Sequence, residues 1–337
     1  MNICICGGGN LGHVISAYIA AKKGYDVSIL TNHPNKWGRS IHLILPDGKE
    51  LIGTLAGISN KPEDVLRNAD LVIISLPGQY IQQELEKIKP FLKRNTVVGT
   101  VVSNTGFFFQ AHTIMPDQPV FGFQRVPFIS RIGEYGHKAN LLGFKKKLHL
   151  CIENYEDKDS LKNELESLLD TPIDILNNYL EVSLSNSNPL LHSARLYTMW
   201  KNWKEGIVYP SQSLFYEEWT DEASEIYINM DNEFQALLKS LPVSEGSIPS
   251  VLKYYESTDA KSLTEKIRSI KAFQGIKSPM IEVQGGWIPD LNSRYFVEDF
   301  NFGAFFIKQI ANENKISIPT IETVYNWYVN LRKMHNH

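Results

Sequence analysis

At 337 residues the chain is long enough for about two domains with sizeable cores, and 43% hydrophobic with 21% charged residues carries no signature of disorder. A formal net charge of −3 lacks the positive field that nucleic acid or an anionic membrane surface demands. No apolar run approaches the roughly 20 residues of a spanning helix, and no leader precedes the first strand, so a cytoplasmic protein is expected.

Residues 2–6 (NICIC) read as a strand, 10–24 as a helix stopped by Gly24, and 25–30 as the next strand. Residues 41–45 and 50–55 flank the turn PDGK as a hairpin-like insertion. A helix at 61–69 precedes the apolar run 70–77, which has the profile of a strand buried on both faces. The alternation continues with a helix at 80–92, strands at 96–103 and 146–153, a helix at 160–169 and a strand at 173–177. Such repetition predicts an α/β unit, a Rossmann-like, doubly wound and mostly parallel sheet. From residue 183 onward the spacing turns helical, at 189–203, 213–241, 251–257, 263–270, 302–315 and 319–333. An all-α C-terminal domain is therefore expected after it, with domains at 1–182 and 183–337. Cys4 and Cys6, two apart in a strand, are expected to be thiols packed on one face. With Cys151 they make neither a disulfide framework nor a metal pair, and no metal site is expected. Lys145, Lys146 and Lys147 read as a solvated strand end.

Gly7-x-Gly9-x-x-Gly12 follows a strand and opens a helix, the context that a dinucleotide-binding turn requires. Gly7 permits the turn, Gly9 lets a pyrophosphate approach the backbone, and Gly12 lets the helix pack closely. Gly7, Gly9, Asn10, Leu11 and Gly12 are therefore expected against the cofactor, at the positive end of the helix. Gly8 has no task in this scheme beyond freeing the turn. About 20 residues on, a carboxylate would accept a ribose hydroxyl, but Thr31, Asn32 and His33 stand there, with Lys36 and Arg39 nearby. Small donors and cations suit a 2′-phosphate, which favours NADP with NAD as the alternative. Ser75, Leu76 and Pro77 end the buried strand and should pass beside the cofactor.

In the helical half, NPLLH places Asn188 four residues before His192. Asn188 is expected to cap a helix whose first position is Pro189, with His192 one turn inside. Near the end, RYFVEDFNFG carries Arg294, Glu298 and Asp299. A carboxylate against a histidine would fix its tautomer, although paired carboxylates at a helix start can simply complement its dipole.

The series GxGNxG, RVPFISR, NPLLH and RYFVEDFNFG resembles the opine dehydrogenases, the octopine/nopaline dehydrogenase relatives. The resemblance spans most of the chain as sparse motifs. It implies joining an amino acid to a 2-oxo acid through an imine and reducing that imine with NAD(P)H. By the same resemblance His192 is the catalytic histidine, Asp299 its carboxylate partner, and Asn188 and Arg294 line the substrate side. Arg131 is a further carboxylate clamp, with Arg125 and Arg195 as other candidates. Two departures stand out: the aromatic segment 209–227 has no match, and Phe300 replaces an aliphatic or small residue followed by proline. A rival reading is a ketopantoate reductase or glycerol-3-phosphate dehydrogenase type, with Lys201 as acid. Another is a non-catalytic NADP(H) sensor that needs no His192. The aromatic helical surface is compatible with a homodimer, and the particular amino acid and oxo acid are not legible.

Overall fold

The computed structural model describes residues 1–335 and divides into two compact units, Met1–Ser183 and Leu184–His337. The first unit runs through β1 (Asn2–Cys6), β2 (Asp26–Leu30), β3 (Ser40–Ile44), β4 (Glu50–Thr54), β5 (Gly57–Ser59), β6 (Leu71–Ile74), β7 (Val97–Thr100), β8 (Val120–Phe123), β9 (Phe128–Glu134), β10 (Lys138–Phe144), β11 (Leu148–Glu153) and β12 (Ile173–Ile175). Eight of these form one sheet in the order β12-β11-β8-β7-β6-β1-β2-β5. Every pairing in it is parallel except β8 with β11. Its central strands are apolar on both faces because both are covered, and β6 (LVII) is buried at all four positions. The strand order reverses direction at β1, so the carboxyl end of β1 opens at the crevice where ligands lie in such sheets.

The helices of this unit are α1 (Asn10–Ala20), α2 (Pro62–Leu66), α3 (Gly78–Ile88), α4 (Phe107–Ile114), α5 (Lys158–Leu169) and α6 (Tyr179–Ser183). The expected hairpin is β3–β4, but it is half of a second sheet, β4-β3-β10-β9. That sheet packs on α1, so α1 is covered twice, which is why its positions Gly12 to Ile19 are all buried. Gly53 lets β4 lie on the helix backbone, where an added Cβ would fall 2.3 Å from the Ala17 carbonyl oxygen. Cys4 and Cys6 are buried free thiols in one apolar cluster, as expected of packed residues. Lys145, Lys146 and Lys147 are exposed between β10 and β11, and Lys147 pairs with Asp174 at 2.6 Å.

The second unit contains α7 (Asn188–Trp200), α8 (Asp221–Leu238), α9 (Val251–Tyr254), α10 (Ala260–Ser269), α11 (Arg294–Asp299), α12 (Phe305–Glu313) and α13 (Pro319–His335). One hairpin, β13 (Met280–Val283) with β14 (Gly286–Pro289), interrupts the helices and was not expected. The helix expected over 213–241 is also corrected: α8 begins only at Asp221, where the Thr220 side chain accepts the Ala223 N–H. Upstream, backbone groups find partners outside a helix. The Phe215 N–H donates to the Ile276 carbonyl at 2.8 Å, and its own carbonyl accepts from Arg195 at 3.1 Å. Tertiary hydrogen bonds thus override a helical spacing of apolar residues. Between α11 and α12 the chain makes one π-helical turn, Phe300–Ala304, a form that recurs at functional sites. No helix among the described residues is long and apolar enough to cross a membrane.

Candidate functional site

The glycine turn joins β1 to α1. Gly7 has φ +115° and lies against β6, where an added Cβ would fall 2.5 Å from the Ser75 carbonyl oxygen. At Gly12 the same atom would stand 1.9 Å from the Gly7 carbonyl oxygen, so helix and turn touch through bare backbone. Gly9 is different, because nothing in the protein lies within 4 Å of a Cβ placed there. Open space in front of the middle glycine, ahead of a helix with no side-chain cap and no acid in its first turn, is the arrangement that suits a pyrophosphate in glycine turns of this kind. The unassigned Gly8 has a steric cause as well. A Cβ there would fall 2.7 Å from the Tyr135 hydroxyl and 3.1 Å from Thr31 Oγ1.

A cavity of about 320 Å³ opens beside this turn, lined by Gly7, Gly8, Thr31, Asn32, His33, Leu76 and Pro77 among others. The sequence reading missed the contribution of α3, which supplies Tyr80, Gln83, Glu84 and Lys87 to the same wall, and that of Tyr135. Lys36 and Arg39 are exposed and do not line it, so Lys87 replaces them as the cation of this wall. Lys87 stands 3.8 Å from Glu84, whose carboxyl is pushed up by burial and drawn back by Lys87. Ser75 shapes the turn through its backbone. Asn10 Oδ1 accepts the Ile132 N–H at 2.8 Å, and Leu11 packs against the core. Arg131, on β9, is exposed with its guanidinium on the Ser130 carbonyl at 2.9 Å.

A second residue unseen in the sequence reading braces the turn. His13 is fully buried and stacks on Trp37 at 4.0 Å. Its Nδ1 lies 2.9 Å from the Gly9 carbonyl oxygen, and its Nε2 accepts the Gly136 N–H at 2.7 Å. Those partners require a neutral ring with its proton on Nδ1. Burial lowers its pKa accordingly, against the raising effect of the Gly9 and Gly8 carbonyls.

In the second unit, two motifs 107 residues apart meet. His192 on α7 is 4% exposed, and its Nδ1 lies 2.7 Å from Asp299 Oδ2 at the end of α11. The contact depends on how closely the two segments approach. An added Cβ on Gly303 would fall 2.3 Å from Pro189 Cγ, so the π-turn lies directly on the start of α7. Phe300, the departure noted above, is buried and stacks on Tyr328 at 4.2 Å. It anchors the turn that follows Asp299. The helix start differs by one residue from the expectation: Ser187 is the N-cap position and Asn188 the first helical residue. Asn188 is exposed, and its N–H donates to Asn186 Oδ1.

The unmatched aromatic segment supplies the other side of His192. Tyr216 Oη lies 2.7 Å from His192 Nε2. Tyr295 packs on the imidazole at 4.5 Å and Phe215 at 5.7 Å. Arg195, one turn beyond His192, is buried beneath this segment, and burial lowers its pKa to about 10. It therefore acts as a structural brace on the Phe215 carbonyl. Arg294 is exposed at the start of α11 and lies over the Tyr295 ring at 5.6 Å, and its charge opposes the upward push that burial gives the Glu298 carboxyl and the Tyr216 phenol. Arg125 is exposed between β8 and β9. Lys201, the acid of the rival reading, is exposed and ion-paired with Glu222.

Residues 175–332 match the family described as NAD/NADP octopine/nopaline dehydrogenase, alpha-helical domain. Residues 3–118 match the ketopantoate reductase PanE/ApbA family. The octopine dehydrogenase of Pecten maximus is 24% identical over 360 residues, covering 97% of this chain and 89% of its own. The tauropine dehydrogenase of Arabella iricolor is 24% identical over 357 residues, covering 96% and 90%. A solved octopine dehydrogenase with NADH and L-arginine has the same fold, with a TM-score of 0.86 at 24% identity over 99% of this chain and 90% of that one. Residues 175–332 thus carry the helical domain of the octopine/nopaline dehydrogenase family, and through nearly its whole length the chain is similar to octopine, opine and tauropine dehydrogenases, which supports an NAD(P)-dependent oxidoreductase acting on CH–NH bonds.

Proposed function

We propose that the chain condenses an amino acid with a 2-oxo acid and reduces the resulting imine to a secondary amine dicarboxylate. One observation carries this reading: a buried His192–Asp299 pair in the domain that gives the family its name. When bound at the glycine turn, the reduced nicotinamide supplies the hydride. The remaining chemistry is proton movement and orientation, and falls to this chain. Asp299 holds the Nδ1 proton and the ring angle of His192, leaving Nε2 as the end of the pair from which a proton passes toward the oxo group and the departing water. Arg294, beside that face, pairs with a substrate carboxylate through its planar guanidinium, with Asn188 and Arg131 as further substrate contacts.

NADPH is the proposed preferred reductant. No carboxylate stands at the end of β2, and Lys87 brings a cation to the cavity that Thr31, Asn32 and His33 line. Lys87→Ala is expected to raise the KM for NADPH several-fold more than the KM for NADH, and equal effects would remove the 2′-phosphate assignment.

The decisive measurement is nicotinamide oxidation across a matrix of amino acids and 2-oxo acids. Turnover is expected only when amine and oxo acid are both present; reduction of an oxo acid alone would sink the reading. On an active pair, His192→Ala should lose about 10²- to 10⁴-fold in kcat, the usual worth of a positioned acid–base group. Lys201→Ala should retain activity, and the reverse pattern would favour the lysine-acid chemistry.

A further inference from the structure

Both ring nitrogens of His192 are occupied. Nδ1 is held by Asp299 and Nε2 by the Tyr216 hydroxyl, each at 2.7 Å. An imidazole nitrogen makes one such bond. A proton leaving the His192–Asp299 pair therefore has one way out, through the phenol oxygen, unless Tyr216 moves aside.

The surroundings hold Tyr216 in place. It is 4% exposed. Its ring stacks on Phe273 at 4.0 Å and 15°, and lies parallel to Trp219 at 6.3 Å and 9°. Its chain segment is tied on both sides: Arg195 donates to the Phe215 carbonyl at 3.1 Å, and Arg268 Nε to the Trp219 carbonyl at 2.7 Å. Gly275 N–H further binds Glu217 Oε2 at 2.6 Å. A side chain fixed by two arginines and two aromatic faces is pre-organised for a defined position. Burial raises its pKa above the usual phenol range, so it stays a protonated donor; Arg294 is the neighbour that opposes this shift. Arg294 lies over the Tyr295 ring at 5.6 Å, and Tyr295 packs on the His192 imidazole at 4.5 Å, so a carboxylate held by the guanidinium would set the adjacent oxo group beside this cluster.

Resting on the condensation reading above, we propose that Tyr216 is the substrate-facing catalytic acid and His192 the group that reprotonates it. With His192 charged, Nε2–H donates to the Tyr216 oxygen and the phenolic O–H points to substrate. Amine attack forms the C–N bond and breaks the carbonyl π bond. The oxygen takes the Tyr216 proton while the Tyr216 oxygen takes the Nε2 proton, leaving His192 neutral. The surplus proton on nitrogen returns along the same path and recharges His192. A second pass protonates the carbinolamine hydroxyl, which leaves as water, and the protonated imine remains for hydride.

The test is Tyr216→Phe in the full chain, assayed with wild type on the same amine and oxo-acid pair. Phenylalanine keeps both stacking faces and removes only the hydroxyl. A fall in kcat of about 10²- to 10³-fold, with KM for the oxo acid and nicotinamide affinity within about threefold, is expected. A kcat within twofold of wild type, or above it, overturns the relay and makes Tyr216 a plug that swings away. Replacing Tyr216 by 3,5-difluorotyrosine, nearly the same in shape, covers the case in which Tyr216→Phe folds poorly. Rate should then follow phenol acidity, changing several-fold at unchanged Tm, and an unchanged rate overturns the proposal. Wild type inactive on every pair refutes the condensation reading and the relay with it, whereas an active wild type with an unaffected variant refutes the relay alone.

Discussion

At the scale of single residues, the three fingerprint glycines separate into different physical roles. Gly12→Ala would place Cβ 1.9 Å from the Gly7 carbonyl oxygen. Helix and turn must then part, at a cost of about 1–3 kcal/mol or more, lowering Tm as well as cofactor affinity. Gly9→Ala meets no protein atom within 4 Å, so Tm should change by no more than about 1 kcal/mol equivalent. Cofactor affinity should still fall roughly tenfold or more, since the Cβ occupies the pyrophosphate's space. Equal losses of Tm in the two variants would contradict the distinction. His13 gives a pH signature. Its folded pKa is depressed by burial below an unfolded value near 6.5. The stability it contributes is thus complete above about pH 6.5 and is lost as pH falls through the folded value, with a slope of at most about 1.4 kcal/mol per pH unit. Melting at pH 7 and pH 5 should show a smaller drop for His13→Gln than for wild type; identical drops would refute the assignment.

Among the elements, the short helix α11 and the π-turn after it matter more than their length suggests. The extra residue in the turn lets α12 continue while Phe300 is buried and Gly303 stays on Pro189. A methyl group at Gly303 would fall 2.3 Å from the proline ring, pushing the α11 end from the α7 start and lengthening the His192–Asp299 contact. Gly303→Ala is therefore expected to reduce kcat about tenfold or more with nicotinamide affinity unchanged, because sub-ångström displacement of a catalytic pair is costly. A variant with full kcat would mean that the approach of these elements does not set the pair. The 213–219 segment, the start of the helix expected over 213–241, shows the converse: its apolar spacing suits a helix, yet its backbone is held by Ile276, Arg195 and Arg268. A turn over residues 215–218, in place of a helix, is what brings a tyrosine onto Nε2.

At the scale of the molecule, the glycine turn and the His192 cluster belong to different compact units, Met1–Ser183 and Leu184–His337. Cofactor held by the first unit should stabilise it by about 2.7 kcal/mol at a hundred times Kd. The same increase is expected in His192→Ala, because the glycine turn and the histidine lie in different units. Loss of the thermal shift in that variant would show that the second unit contributes to resting cofactor affinity.

Local sequence alone specifies the glycine-rich strand–turn–helix, the apolar strands of a covered parallel sheet, and the helical second half. Each is a local pattern: glycines at fixed offsets, apolar runs four to eight residues long, and a period near 3.6. It also marked His192 and Asp299, though their meeting across 107 residues is a tertiary fact. Three things were decided only by the fold. Strands β9 and β10 complete a second sheet over α1, because β10 pairs with β3, far upstream in the chain (Lys138 with His42). Lys87 and Glu84 enter the cavity beside the glycine turn from α3, which no offset from the glycines encodes. Tyr216 reaches His192 because two arginine contacts to the backbone and a stacked phenylalanine hold its segment out of a helix. Local pattern reports which face of an element is apolar; it does not report which distant backbone group will accept the next hydrogen bond.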